Sequence, residues 1–244
     1  LDEADGQKYS LQTVLSPAGD SEIDSSTVQV FSANASDYET FTRHAQASVS
    51  TLSTDTNKPP LTDYQLSLLP YPVIVSDYYQ QLREQGLHYG QNFQVIQQLW
   101  QKDGQALSQL RCVGDSEQTA YHLHPALLDG CFQTIGAAVQ ADASIGTYLP
   151  IGFDRLQFYR AVGNSGWCAV TIQPASSDSN GTAPASIKAD LSIWTEAGEL
   201  AAVIDGLTLK LVSRGSLQRL FSAESVQSPQ QPVQAASQSQ SQRQ

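Results

Sequence analysis

Residues 121–133 read YHLHPALLDGCFQ, and they hold two of the four histidines of a 244-residue chain. Pro125 suits the first position of a helix, because its missing N–H costs nothing there and its φ is already helical. A helix from Pro125 to about Gln140 would carry Leu128, Phe132, Ile135 and Val139 at i, i+4, i+7 and i+11, a continuous apolar stripe. The spacing therefore predicts a helix buried along one side. Asp129 and Gln133, four residues apart, share a face that borders this stripe. A carboxyl at the edge of a core is desolvated, which raises its pKa toward the range that a general acid needs near neutral pH. Its place near a helix N-terminus acts in the opposite direction by favouring the anion, and the sequence leaves that balance open. Gln133 can hydrogen-bond the carboxyl and fix its rotamer. Taken alone, D-x-x-x-Q is a common and unspecific spacing, equally read as a solvated aspartate beside an ordinary helix former.

What surrounds this helix is strand. Upstream, HYGQNFQVIQQLWQKDGQALSQLRCV (88–113) places two apolar runs on either side of Asp103-Gly104, a hairpin signal. Downstream, YLPIGFDRLQFYRAV, WCAVTIQPAS, SIKADLSIWT and ELAAVIDGLTLKLVS follow in turn. Ile187, Ala189, Leu191 and Ile193 alternate with Lys188, Asp190, Ser192 and Trp194, Leu207, Leu209 and Leu211 repeat the period of two, and TEAGEL joins the last two runs as a hairpin loop. One buried helix with five or six antiparallel strands predicts an α+β domain whose sheet wraps the helix.

Farther out the signal weakens. Ser76 is placed to cap a helix over DYYQQLREQG, with Asp77 in its first turn and Gly86 as its stop. Residues 54–70, with Pro59, Pro60 and Pro70, read as an extended linker. Residues 1–53 hold strand-like pieces, YSLQTVL, STVQVFSA and HAQASVSTL, with SPAGDSE as a loop; these are too few strands to bury a core by themselves. From 214 to 244 the composition turns to Ser, Gln, Ala and Pro, which predicts a disordered tether in which SLQRLF begins as a short helix.

The bulk composition excludes several classes. A net charge of −11 argues against nucleic acid or an anionic membrane as the main partner. No run of about 18 apolar residues is present, and the N-terminal LDEADGQKYS is not a signal peptide. Cys112, Cys131 and Cys168 are odd in number and contain no CxxC pair, so neither a zinc site nor a disulfide framework is expected, and a reducing cytoplasm fits. There is no methionine, even at position 1, which predicts an excerpt from a longer polypeptide.

Three blocks in order, GLHYGQNFQVIQQLW, LHPALLDGCFQ and YLPIGFDRLQFY, with YYQQLREQG ahead of them, resemble the dehydratase domains of modular polyketide synthases. The resemblance covers about Tyr71 to Ser213 well and Tyr9 to Leu52 more loosely, where FTRHAQASVSTL resembles the end of that family's first half. It implies a double hotdog fold, each half a sheet around one long helix. Residues 71–213 would then be the complete second hotdog, and residues 1–53 the last strands of a truncated first one. The implied reaction is loss of water from a 3-hydroxyacyl thioester on the phosphopantetheine of an acyl carrier protein, with no cofactor or metal in the domain itself. By resemblance Asp129 is the proton donor and Gln133 its supporting residue, while Tyr89, Gly90, Leu149 and Pro150 contact substrate. Gln91 stands where the family usually has proline.

The family's catalytic base is a histidine in an H-x-x-x-G-x-x-x-x-P block, and none of His44, His88, His122 and His124 is followed by that pattern. His124 and His44 read as structural, and the chain is expected to supply the acid without its base. The alternatives are an inactive hotdog serving as scaffold or carrier-protein docking surface, and a related hotdog that cyclises or shifts a double bond. Implied partners are the carrier protein, which would meet Arg155 and Arg160 if those strand residues form a basic patch, the neighbouring synthase domains, and a second copy through a homodimeric parent.

Overall fold

The computed structural model describes residues 9–17, 25–34, 37–51, 61, 71–114, 121–139, 146–174, 184–213 and 215–217. The described residues fall into two compact units, one within 1–55 and one within 56–224.

The larger unit contains β4 (Tyr71–Pro72), α1 (Val75–Glu84), a 3-10 turn (Gln91–Phe93), β5 (Ile96–Lys102), β6 (Gln105–Arg111), α2 (Pro125–Val139), β7 (Thr147–Gly152), β8 (Arg155–Phe158), β9 (Ser165–Ile172), β10 (Ser186–Thr195) and β11 (Leu200–Val212). Its sheet runs β4-β5-β6-β9-β10-β11-β7, with β8 also paired to β11. The described pairings are all antiparallel. The described sheet thus has eight strands rather than five or six. YLPIGFDRLQFYRAV divides into β7 and β8 at Phe153-Asp154, and Tyr71-Pro72 adds an edge. The Asp103-Gly104 turn joins β5 to β6 as expected, with Gly104 at φ +71°. Register shifts between Ala189 and Leu191 and between Thr208 and Leu209 mark bulges of the kind that bend strands, and they help the sheet curve around α2. This is the hotdog arrangement.

α2 packs on β5, β6 and β9 and fills the concave side. Leu127 and Ile135 on the helix meet a sheet face built from Leu99, Leu110, Val170, Leu191 and Ile204, each at most 2 % exposed. Small residues let the backbone approach: a Cβ at Gly130 would lie 2.4 Å from Cγ2 of Val95. The predicted apolar stripe is only partly the buried one. Ile135 is buried, but Leu128, Phe132 and Val139 are half-buried, and the deepest face runs through Ala126, Leu127, Gly130, Cys131, Thr134 and Ala138. The helix is covered by sheet on one side and walls a cavity on another, so the period of its large apolar residues tracks both surfaces.

Two further expectations need correction. Ser76 is not the cap of α1: the helix begins at Val75, Ile74 holds the N-cap position without a side-chain cap bond, and the Ser76 hydroxyl donates to Asp77 Oδ1 at 3.2 Å. Gly86 does end that helix, at φ +95°, where Leu87 N–H reaches the Leu82 carbonyl at 2.9 Å. Of the segment 214–244, residues 215–217 form a helical turn whose Leu217 is 1 % exposed, so folded structure extends past 213. The remainder of that segment, and all of the proline-rich 54–70 except Leu61, lie outside the described residues. Among the described residues no helix is long and apolar enough to cross a membrane.

The smaller unit is a three-stranded antiparallel meander, β1 (Tyr9–Pro17), β2 (Ser25–Asn34) and β3 (Asp37–Ser50). Val28, Val30 and Phe31 are half-buried, and Ala33 is its buried apolar residue among those described.

Candidate active site

The N-terminus of α2 is closed by His124. Its Nδ1 accepts the Ala126 N–H at 3.1 Å, its carbonyl accepts the Leu128 N–H at 3.0 Å, and the Tyr121 ring packs edge-on at 5.2 Å. A ring nitrogen committed to a helix cap matches the structural reading of this histidine. Asp129 follows in the next turn and Gln133 one turn beyond.

Gln133 is 4 % exposed and uses its whole amide. Its Nε2 donates to Asp129 Oδ2 at 2.7 Å and to the Phe93 carbonyl at 2.9 Å, while its Oε1 accepts from the Tyr79 hydroxyl at 2.9 Å. Tyr79 in turn accepts the Ile96 N–H at 3.1 Å. The neighbouring Tyr78 donates to the Gln133 main-chain carbonyl at 2.5 Å. It can come that close because position 136 is glycine: a Cβ there would lie 2.5 Å from the Tyr78 hydroxyl oxygen.

Desolvation pushes the Asp129 carboxyl above the usual aspartate range, and the hydrogen bond from Gln133 partly offsets this. Burial also raises Tyr79 to about 12 and holds Tyr89 far above neutral, with Asp129 adding to both, so these phenols stay protonated.

Asp129 and Gln133 open on a cavity of about 160 Å³ whose walls include Tyr89, Phe132, Leu149 and Pro150. Five of the six residues assigned to the site from the sequence are therefore gathered on one cavity. Gly90 is not among its walls; it lies at the start of the 3-10 turn, where its carbonyl accepts the Phe93 N–H at 3.0 Å. The structure adds residues that the sequence reading passed over: Tyr78, Gln81 and Gln85 of α1 and its C-cap, Tyr148 of β7, and Tyr79 behind Gln133. Adjacent tyrosines in an amphipathic helix were the available signal, since buried hydroxyls need partners.

None of the four histidines lines this cavity. His88 and His122 are exposed, the latter against the Phe158 ring at 5.6 Å, and Nε2 of His44 lies 2.6 Å from the Ser32 hydroxyl in the smaller unit. Arg155 and Arg160, the candidate basic patch, pair with Asp205 (3.1 Å) and Glu199 on the surface, which removes much of the free positive charge. Among the described residues no three His, Cys, Asp or Glu side chains converge as a metal site would require.

A carboxyl whose pKa is raised by burial, on the wall of a cavity and with its amide partner locked, has the features that a proton donor requires. The profile of the polyketide synthase dehydratase N-terminal domain matches residues 58–219. A phenolphthiocerol/phthiocerol polyketide synthase of Mycobacterium tuberculosis is 28 % identical over 165 residues, covering 63 % of this chain and 9 % of that protein. Erythronolide synthase EryA2 of Saccharopolyspora erythraea is 30 % identical over 136 residues, covering 56 % and 3 %. The chain thus spans less than a tenth of the length of these relatives, which are themselves polyketide synthases. Among solved structures, the dehydratase domain of the CurK module of curacin polyketide synthase superposes with a TM-score of 0.71 at 27 % identity, covering 87 % of this chain and 71 % of that one. Two variants of CurK dehydratase that match equally well, one replacing a histidine by phenylalanine and one an aspartate by asparagine, are described as inactive.

Proposed function

Because this chain belongs to the polyketide synthase dehydratase family, we propose that it contributes the acid half of a dehydration, with Asp129 as proton donor to the departing hydroxyl of a 3-hydroxyacyl thioester. The observation that carries this reading is the Asp129–Gln133 pair on the cavity wall. There desolvation keeps the carboxyl protonated to higher pH than an aspartate in water, while Gln133 holds its orientation.

The reaction sets two demands. The proton on C2 is only moderately acidified by the thioester, so a base must remove it; hydroxide leaves C3 poorly, so an acid must protonate it. As the C2–H bond breaks, its electrons form the C2=C3 double bond. The C3–O bond breaks, and the oxygen departs as water with the proton from Asp129. Tyr89, neutral at any working pH, offers a hydroxyl on the same cavity wall. Phe132, Leu149 and Pro150 give the acyl chain an apolar surface. The chemistry consists of two proton transfers and needs no cofactor of the domain. The acyl group would arrive on the phosphopantetheine of an acyl carrier protein, within a larger and homodimeric synthase.

No histidine of this chain stands at the cavity, so the base is assigned to a histidine outside these residues. The inactive histidine and aspartate variants of CurK dehydratase support such a division of labour. The test is direct. In the full parent protein, Asp129→Asn lowers dehydration by about 10²–10⁴-fold, and the 244-residue chain alone turns over no 3-hydroxyacyl thioester. A variant that keeps more than half of the parent's rate removes Asp129 from the role of acid; turnover by the chain alone shows that its base lies within it.

A further inference from the structure

Behind the Asp129–Gln133 pair lies a hydroxyl that touches neither the cavity nor the carboxyl. The Tyr79 side chain is buried at 7 % exposure and is absent from the cavity wall. Its oxygen accepts the Ile96 main-chain N–H at 3.1 Å and stands 2.9 Å from Gln133 Oε1. An amide N–H can only donate, so the phenol hydrogen is left for Gln133 Oε1. On the other side of the same amide, the Phe93 carbonyl can only accept, and it takes one hydrogen of Nε2 at 2.9 Å. The second Nε2 hydrogen then points to Asp129 Oδ2 at 2.7 Å. A backbone donor at Ile96 and a backbone acceptor at Phe93 therefore fix which way the Gln133 amide faces. The first of them acts only through Tyr79.

This matters because a glutamine beside a carboxyl can be turned either way. With N–H toward Asp129, Oδ2 is held as an acceptor and the proton for transfer resides on Oδ1. Turned over, the amide would present its oxygen, and the acid's own proton would be drawn into a bond with Gln133 instead of to substrate. We propose that Tyr79 is a positioning residue for the proton donor, acting through Gln133 to keep Oδ2 of Asp129 an acceptor and its proton on Oδ1. The inference rests on Asp129 being the acid, and its test separates the two.

The titratable groups that face this cavity or Asp129 from the packed elements are Tyr78 and Tyr79 of α1, Tyr89 of the following loop and Tyr148 of β7, and burial raises each above the ordinary phenol range, so all stay protonated. Within α2 itself Cys131 is buried on the sheet side, and no lysine, arginine or histidine lines the cavity. In the parent protein the proposed histidine base titrates as well; it must be deprotonated, so it is assigned the acid limb of the profile, and the alkaline limb is assigned to Asp129. The acid must be protonated, so kcat falls as pH rises through its pKa. The Gln133 N–H favours the carboxylate and lowers that pKa; losing its orientation raises the pKa and moves the alkaline limb of kcat to higher pH.

The experiment uses the parent protein with Tyr79→Phe, Gln133→Ala, the double variant and Asp129→Asn. Tyr79→Phe is expected to lower kcat about tenfold, the size of a lost charge-assisted contact, with KM unchanged and the alkaline limb displaced upward. In the Gln133→Ala background it should cost nothing further, within about twofold. Replacing Tyr79 by a ring-fluorinated tyrosine keeps ring, hydroxyl and fold but strengthens the donor; the limb should then move downward. An equal loss from Tyr79→Phe in both backgrounds, or a limb that neither change moves, overturns the positioning role while leaving the acid in place. An active Asp129→Asn overturns the acid itself.

Discussion

The two units have the same kind of hydrogen-bonded sheet but not the same kind of core. In residues 56–224 the sheet closes on α2, and side chains such as Leu99, Leu127, Ile135 and Leu191 are at most 2 % exposed. In residues 1–55 three strands pair along nearly their whole length, yet Leu11, Leu15 and Val49 are 61, 64 and 52 % exposed. Ladder hydrogen bonds replace bonds to water and stabilise little on balance, whereas burial of apolar surface supplies most of the favourable free energy. Among the described residues no helix covers the smaller sheet, whose strands are paired but leave these side chains exposed, and the helix that packs on the larger sheet also carries the site.

The sharpest way to break this contrast is to delete the same side chain from each unit. Leu127→Ala should destabilise the larger unit by about 2–5 kcal/mol, seen as a lowered denaturant midpoint. Leu15→Ala should change stability by less than about 0.5 kcal/mol, as at other exposed positions. Equal losses would mean that the smaller sheet is buried in the folded chain.

A second expectation follows from the exposed strands. An uncovered apolar face and open edges favour pairing between chains, so the 244-residue chain should self-associate while residues 56–224 remain monodisperse at equal concentration in light scattering. Serine at Leu11 and Leu15 should reduce the association. If the whole chain is monodisperse and the shorter one aggregates, residues 1–55 are a needed part of the larger fold.

The smallest effect is a pH dependence. A carboxyl whose folded pKa is raised binds its proton more tightly when folded than unfolded. Its contribution is therefore favourable below its pKa values and is lost as pH rises from the unfolded value through the raised one. Removing that carboxyl by Asp129→Asn should stabilise the larger unit at about pH 7 relative to the parent sequence, and the advantage should vanish below the ordinary aspartate range. A stability difference that does not vary with pH would mean that Asp129 is not perturbed by folding.

How much of this was legible in the sequence depended on range. Pro125, the Asp103-Gly104 turn and the alternation in 187–193 are local signals, and each marked its element. The position of Asp129 and Gln133 on one helix face was equally local. The helix stripe was misjudged because Phe132 and Val139 face a cavity whose far wall comes from β7, in a different layer. Tyr79 was passed over for the same reason: its partner is 54 residues away, and nothing in DYYQQLREQG names it. Ser76 failed differently. The helix begins at Val75 with Ile74 at the N-cap, earlier than the cap signal indicated, so the serine falls within the first turn.

The central claim, that Asp129 donates the proton to the leaving oxygen, can be tested by changing the leaving group. In the parent protein, wild type and Asp129→Asn would be compared on a 3-hydroxyacyl thioester and on an analogue whose C3 substituent departs as a stable anion without protonation. An acid is needed only for the first. The expected result is a loss of about 10²–10⁴-fold on the hydroxy substrate that shrinks to within about tenfold on the analogue. An equal loss on both substrates would contradict it, and would mean that Asp129 acts by shaping the cavity rather than by giving up a proton.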